Sequence, residues 1–114
     1  MPLLEMTARP QAGHTVVRLR GDLDLSSSQD LRTYLDSTRR EHGERLVLDL
    51  AGLEFMDSGG LSVIVSCFKA VTAAGGSLTL AAPRPLIRRT LVVTGLYRRI
   101  PLADTLEDAI RRPA

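Results

Sequence analysis

The chain has 114 residues, 44% of them hydrophobic, which suits one globular domain over residues 1–114 and is too apolar for a disordered segment. The single cysteine excludes an internal disulfide, and no apolar run reaches the roughly 20 residues that a membrane-spanning helix needs. The net charge is only +2, and four aromatic residues are few for stacking on bases, so direct nucleic-acid binding is not expected.

The N-terminal part of the chain predicts two strands joined by a hairpin. A weaker strand covers residues 3–8, and a turn is expected over residues 10–13. The second strand covers residues 14–21, where Val17 and Leu19 alternate with arginines. This alternation is typical of a strand that buries one face.

A helix is predicted to follow the hairpin. Ser27 and Asp30 have the spacing of a capping box, and Gly43 marks the expected end. Four residues share its buried face: Leu31, Tyr34, Leu35 and Thr38.

The middle of the chain combines a buried strand with a second amphipathic helix. Residues 45–50 are mostly apolar, which favours a central strand that is covered on both faces. After residues 57–60 (D-S-G-G) a helix is expected to run to the glycine pair at 75–76, with Cys67 on its flank. Five residues are predicted to line its apolar side: Leu61, Ile64, Val65, Phe68 and Thr72.

The last third of the chain continues the alternation of strands and helices. A strand is predicted over residues 77–82, a helix from Pro85 to a cap at Gly95, an edge strand over residues 100–102 and a helix capped by Asp104. Helices between strands imply parallel crossovers, with the first hairpin as an antiparallel edge. The predicted fold class is α/β, with a mixed, mostly parallel sheet of four or five strands covered by about four helices.

The candidate functional residues lie in the segment F-M-D-S-G-G-L, residues 55–61. It joins a buried strand to a helix, and α/β proteins often bind ligands and partners at the carboxyl ends of strands. Two adjacent glycines would let a large partner approach Ser58 closely. A purely structural role is also compatible, in which Asp57 or Ser58 caps the helix and the glycines permit the turn.

Chemistry at this segment is less favoured than binding. A hydrolase of this order needs a histidine after the serine, but His14 and His42 both precede it. A helix start can bind an anion through free N–H groups, but Asp57 would repel phosphate and no P-loop lysine follows. We therefore expect no catalytic residue, no metal site and no cofactor.

Several segments together resemble the anti-sigma-factor antagonist family, which is built on the STAS domain. They are G-D-L-D at residues 21–24, the strand that ends in Asp49-Leu50, and F-M-D-S-G-G-L at residues 55–61. The C-terminal half agrees through the glycine pair at 75–76 and L-V-V-T-G-L at 91–96. The likeness covers nearly the whole chain.

The resemblance implies a partner-switching regulator rather than an enzyme. In such systems the unphosphorylated antagonist binds an anti-sigma factor that is a serine kinase, and this frees a sigma factor. The kinase then phosphorylates the serine after the motif aspartate, here Ser58, and a metal-dependent serine phosphatase reverses the mark. Many members carry Ser or Thr at the position of Gly59, so Ser58 is left as the acceptor.

The resemblance also sets expectations for location, assembly and docking. The protein is expected in the cytoplasm, as a monomer or weak dimer when free, and Glu5 lies where a signal peptide would carry bases. If the G-D-L-D turn and the start of the Ser58 helix face the same way, they form one docking surface. Its predicted residues are Asp22, Asp24, Asp57, Ser58, Gly59, Gly60, Ser62 and Val63. The alternative function is a STAS-fold scaffold, or a module that senses a small anion or nucleotide, without phosphorylation.

Overall fold

The structure is a computed structural model that describes residues 3–112, in which five strands and four α-helices alternate along most of the chain. The elements are β1 (Leu4–Gln11), β2 (His14–Leu23), α1 (Leu25–His42), β3 (Arg45–Met56), α2 (Ser58–Ala73), β4 (Ser77–Ala81), α3 (Pro85–Val93), β5 (Leu102–Ala103) and α4 (Leu106–Arg111). A short 3-10 helix, Leu96–Arg98, links α3 to β5. None of the helices in the described part of the chain is both long and apolar enough to cross a membrane.

The five strands form one mixed sheet in the order β1-β2-β3-β4-β5. β1 pairs with β2 in the antiparallel sense, and every other neighbouring pair is parallel. The predicted α/β fold class is therefore confirmed. β2 and β3 run further than predicted, because after two register shifts they stay paired as far as Leu23 and Met56. This extension starts α1 and α2 side by side at the carboxyl edge of the sheet.

The sheet is covered on both faces. Alternate residues of β3 separate the two sides: Leu46 and Leu48 belong to the large core under α1, α2 and α3, whereas Val47 belongs to a smaller cluster under α4. On the α4 side Arg18 also pairs with the buried Asp49, with 3.3 Å between Nε and Oδ2. The period of two along the strand decides this division.

The buried stripe of α2 is rotated from the predicted one. Val63, Cys67 and Val71 are fully or almost fully buried, while Thr72, assigned to the buried side, is exposed. The stripe shifted because α2 packs against α1 as well as against the sheet. Burial raises the pKa of the Cys67 thiol to about 11, because an apolar setting disfavours the thiolate.

Three predicted boundaries also need correction. α1 begins at Leu25, so Ser27 is the third residue of the helix and not its N-cap. Thr105, not Asp104, caps α4: its hydroxyl accepts a hydrogen bond from the N–H of Asp108 at 3.1 Å, while Asp104 forms an ion pair with Arg88. The edge strand β5 is shifted to Leu102–Ala103, next to the predicted residues 100–102.

Candidate functional site

Asp24 begins α1 by satisfying N–H groups of its own first turn. Its Oδ1 accepts hydrogen bonds from the N–H of Ser26 at 3.0 Å and of Ser27 at 3.1 Å. The Ser27 hydroxyl in turn accepts from the N–H of Asp24 at 3.0 Å, which completes a capping box. The Ser26 hydroxyl, which donates to Oδ1 at 2.6 Å, is the largest cause that holds the pKa of Asp24 below its usual value. The Asp24 carboxylate is thus committed to the local helix start.

Asp57 begins α2 but also holds the start of α1. Its Oδ1 accepts from the N–H of Gly60 at 3.1 Å, and its Oδ2 accepts from the N–H of Leu25 at 3.0 Å. The Asp57 N–H donates to the carbonyl of Leu23 at 3.1 Å. One carboxylate therefore joins the first turns of two helices. Of the two caps the sequence left open, Asp57 or Ser58, the structure has Asp57.

Ser58 is the first residue of α2, and its side chain is exposed. Ser62, one turn along the helix, is exposed as well. The serine run at 26–28 differs, because each of its hydroxyls donates within the first turn of α1: to Asp24, to Asp22 and to the Leu25 carbonyl. Ser58 thus lies at an accessible helix start, where N–H groups without helical partners favour an anion.

The two glycines after Ser58 have different surroundings. A Cβ at Gly59 would lie 3.2 Å from Asp57 Oδ1 and 3.4 Å from Leu25 Cδ1, which is tight but tolerable. Gly60 is buried, and a Cβ there would lie 2.5 Å from Leu23 Cγ. Gly60 therefore lets α2 approach β2 closely, whereas the sequence analysis expected it to clear space for a partner.

The structure brings most of the predicted docking residues to one edge but not all of them. Asp22 and Asp24 are half-buried at the end of β2 and the start of α1, and this edge adjoins the start of α2 through the hydrogen bond from Leu25 to Asp57. Gly60 and Val63 are the exceptions: Gly60 is buried against β2, and Val63, with 4% of its surface exposed, faces the core below the first turn of α2. Leu25 also lies at this edge and is 78% exposed, which no sequence pattern indicates for an apolar residue.

Both histidines lie at the other end of the molecule. They line a cavity of about 460 Å³ between the β1–β2 hairpin and the α1–β3 connection. His14 begins β2, and Leu23, the last residue of β2, contacts Asp57 through its carbonyl. At about 3.3 Å per residue this strand separates His14 from the Ser58 edge by more than about 20 Å. At this distance His14 cannot act as a base for the Ser58 hydroxyl.

Comparisons with known proteins agree on one family. The family model described as the STAS domain matches residues 5–109. The anti-sigma F factor antagonist of Paenibacillus polymyxa is 33% identical over 108 residues, which cover 94% of this chain and 92% of the relative. A crystal structure of an anti-sigma factor antagonist from Mycobacterium paratuberculosis superposes with a TM-score of 0.87 at 27% identity, covering 96% of this chain and 92% of that one. The Bacillus cell fate determinant SpoIIAA in its phosphorylated form shares the fold, with a TM-score of 0.71, 24% identity, and coverage of 96% and 98%.

Proposed function

From its membership of the STAS domain family, in which similar members are anti-sigma factor antagonists, we propose that this chain is an antagonist controlled by phosphorylation. Phosphorylation of Ser58 would stop it from binding its anti-sigma factor. The unphosphorylated protein binds an anti-sigma factor that is also a serine kinase, and binding frees a sigma factor. A metal-dependent serine phosphatase restores the active form. In this role the protein works in the cytoplasm, binds no nucleic acid directly and catalyses no reaction.

The observation that carries the proposal is the contrast between Ser58 and the other serines near it. Ser58 is exposed at the first residue of α2, on the edge where two helix starts meet. The hydroxyls of residues 26–28 are engaged in hydrogen bonds that hold the first turn of α1. SpoIIAA, which has the same fold, exists in a phosphorylated form.

The docking surface of the proposal is the edge around Ser58. Its proposed members are Asp22, Asp24, Asp57, Gly59 and Ser62, at the ends of β2 and β3 and the starts of α1 and α2, with Gly60 and Val63 buried in α2. Affinity at this surface would come from complementary shape and charge. Acidic groups at this edge favour a basic patch on the anti-sigma factor.

Magnitudes favour a switch that acts at the interface and leaves the fold unchanged. A phosphate adds about −1.5 to −2 charges at neutral pH. At the start of α2 the helix dipole favours this charge by about 0.3 to 1 kcal/mol, and the Asp57 carboxylate opposes it by a similar screened amount. Across a docked interface like charges cost several kcal/mol, and each 1.4 kcal/mol is tenfold in affinity. Phosphorylation should therefore weaken binding roughly a hundredfold or more.

The site of modification can be tested directly. The protein is incubated with ATP and the candidate anti-sigma factor kinases of its own organism, and the phosphate is located by mass spectrometry. Ser58→Ala should abolish incorporation, whereas Ser66→Ala, a matched change on the same helix outside the docking surface, should leave it unchanged. Phosphate found mainly at residues 26–28 or at Ser62 would contradict the proposal.

Binding is tested by calorimetry with the same anti-sigma factors. The unphosphorylated protein and Ser58→Ala should bind, and the phosphorylated protein should bind roughly a hundredfold more weakly. Asp22→Lys should also weaken binding through charge reversal. Asp24→Asn should weaken binding as well, because it removes the negative charge. It keeps an oxygen that can cap α1, so the fold is disturbed less than by a lysine. If no anti-sigma factor binds the unphosphorylated protein, the alternative of a scaffold or a sensor of a small anion or nucleotide is favoured.

A further inference from the structure

An exposed leucine lies beside Ser58. Leu25 is the first residue of α1, and 78% of its surface is exposed, more than for any other large hydrophobic residue described. A Cβ built at Gly59 would lie 3.4 Å from Leu25 Cδ1, so this side chain lies against the backbone of the residue that follows Ser58. Single exposed leucines are common on proteins, and only their location gives them meaning.

The position of Leu25 is held by the neighbouring helix. Its N–H donates to Asp57 Oδ2 at 3.0 Å, while the other oxygen of that carboxylate accepts from Gly60 in α2. The start of α1 therefore cannot shift without breaking a hydrogen bond to the cap of α2. An apolar side chain on a fixed backbone is suited to anchor an interface, because the backbone loses little conformational freedom on binding.

We propose that Leu25 is the apolar anchor of the docking surface and inserts into an apolar pocket of the anti-sigma factor, with Asp57 as the positioning residue that sets Leu25 relative to Ser58. This proposal rests on the proposed function and adds to it the chemistry of the contact. Polar groups dominate the rest of the surface, so Leu25 supplies the apolar area that an interface centre needs. A phosphate on Ser58 would lie beside the entering leucine and would lose its water there, which agrees with strong weakening on phosphorylation.

The anchor is tested by calorimetry with the anti-sigma factor that binds the wild-type protein. Leu25→Ala and Leu25→Gln should each weaken binding about tenfold or more, because burying a leucine side chain accounts for at least that factor. Val93→Ala is the matched control. Val93 is the last residue of α3 and is 77% exposed, and its truncation should leave affinity within about twofold. Circular dichroism checks that the variants keep the fold. An affinity of Leu25→Ala within twofold of the wild type would overturn the anchor.

The positioning role of Asp57 is tested by a double-mutant cycle. Asp57→Asn should weaken binding in the wild-type background and less in the Leu25→Ala background, because the part of its effect that comes from positioning passes through Leu25. Equal losses in both backgrounds would show that Asp57 acts independently of Leu25 and would overturn this part of the proposal.

The same measurements separate this inference from the proposed function. If Leu25→Ala binds normally while phosphorylation of Ser58 still abolishes binding, the anchor is wrong and the switch stands. If the wild-type protein binds none of the anti-sigma factors, both are wrong.

Discussion

Asp24 and Asp57 follow the ends of neighbouring parallel strands, and each caps a helix, but they hold different parts of the molecule. The Asp24 carboxylate accepts only from residues of its own first turn. The Asp57 carboxylate accepts one N–H from α2 and one from α1, which begins 32 residues earlier. A cap of the first kind stabilises a helix, whereas a cap of the second kind fixes two helices relative to each other. The edge that carries Ser58 depends on the second kind.

Packing below the Asp57 cap should give the largest effect on the free energy of unfolding. Gly60→Leu should cost about 3 kcal/mol or more, because even its Cβ would lie 2.5 Å from Leu23 Cγ and would push α2 away from β2. Gly59→Ala is the control at the adjacent position and should change stability by less than about 1 kcal/mol. Urea unfolding followed by circular dichroism measures both. Similar losses in the two variants would show that the close approach at Gly60 is not needed.

Removal of either helix cap should give the next largest loss in the free energy of unfolding. Asp57→Ala should cost about 2 kcal/mol, because it leaves two N–H groups without an acceptor and one of these bonds is partly buried. Asp24→Ala should cost less, because the hydrogen bonds it removes lie within one first turn and the link between the two helices stays in place. The Asn variants should recover part of the loss at both positions, since the amide oxygen can still accept. A larger loss for Asp24→Ala than for Asp57→Ala would reverse the assigned roles.

The contribution of the Asp24 cap to the free energy of unfolding should depend on pH. Hydrogen bonds to the ionised form hold the folded-state pKa of Asp24 below the ordinary value of 3.8. The stabilisation is therefore fully present above the unfolded pKa and is lost as the pH falls from about 4 through the lower folded pKa. Urea midpoints of the wild type and of Asp24→Asn, measured between pH 6 and pH 3, should converge as the pH falls. A constant difference over that range would show that the ionised carboxylate is not the source.

Phosphorylation of Ser58 should have the smallest effect on the fold. The opposing influences of the helix dipole and of the Asp57 carboxylate nearly cancel, so the urea midpoint should hardly change. Backbone chemical shifts should change only near the starts of α1 and α2. Affinity for the anti-sigma factor should nonetheless collapse, as described above. A large shift of the midpoint, or shifts spread across the sheet, would indicate a conformational switch.

The sequence by itself determined the order of the elements, the α/β class and the place of Ser58. These features follow from short-range patterns: alternation in residues 14–21, an apolar run at residues 45–50, and a helix that begins after Asp57 and another that ends at Gly43. Each pattern depends on the neighbours of a residue along the chain, so it is visible without the fold.

Only the tertiary structure decided which residues lie together at the edge that carries Ser58. The extension of β2 and β3 to Leu23 and Met56 depends on pairing between distant segments, and it places the starts of α1 and α2 together. The burial of Val63, expected at the surface, follows from packing of α2 on α1 and the sheet. The bond from Leu25 to Asp57 joins residues 32 positions apart, which no local pattern can predict, because the free energy that holds it arises only once both helices are in place.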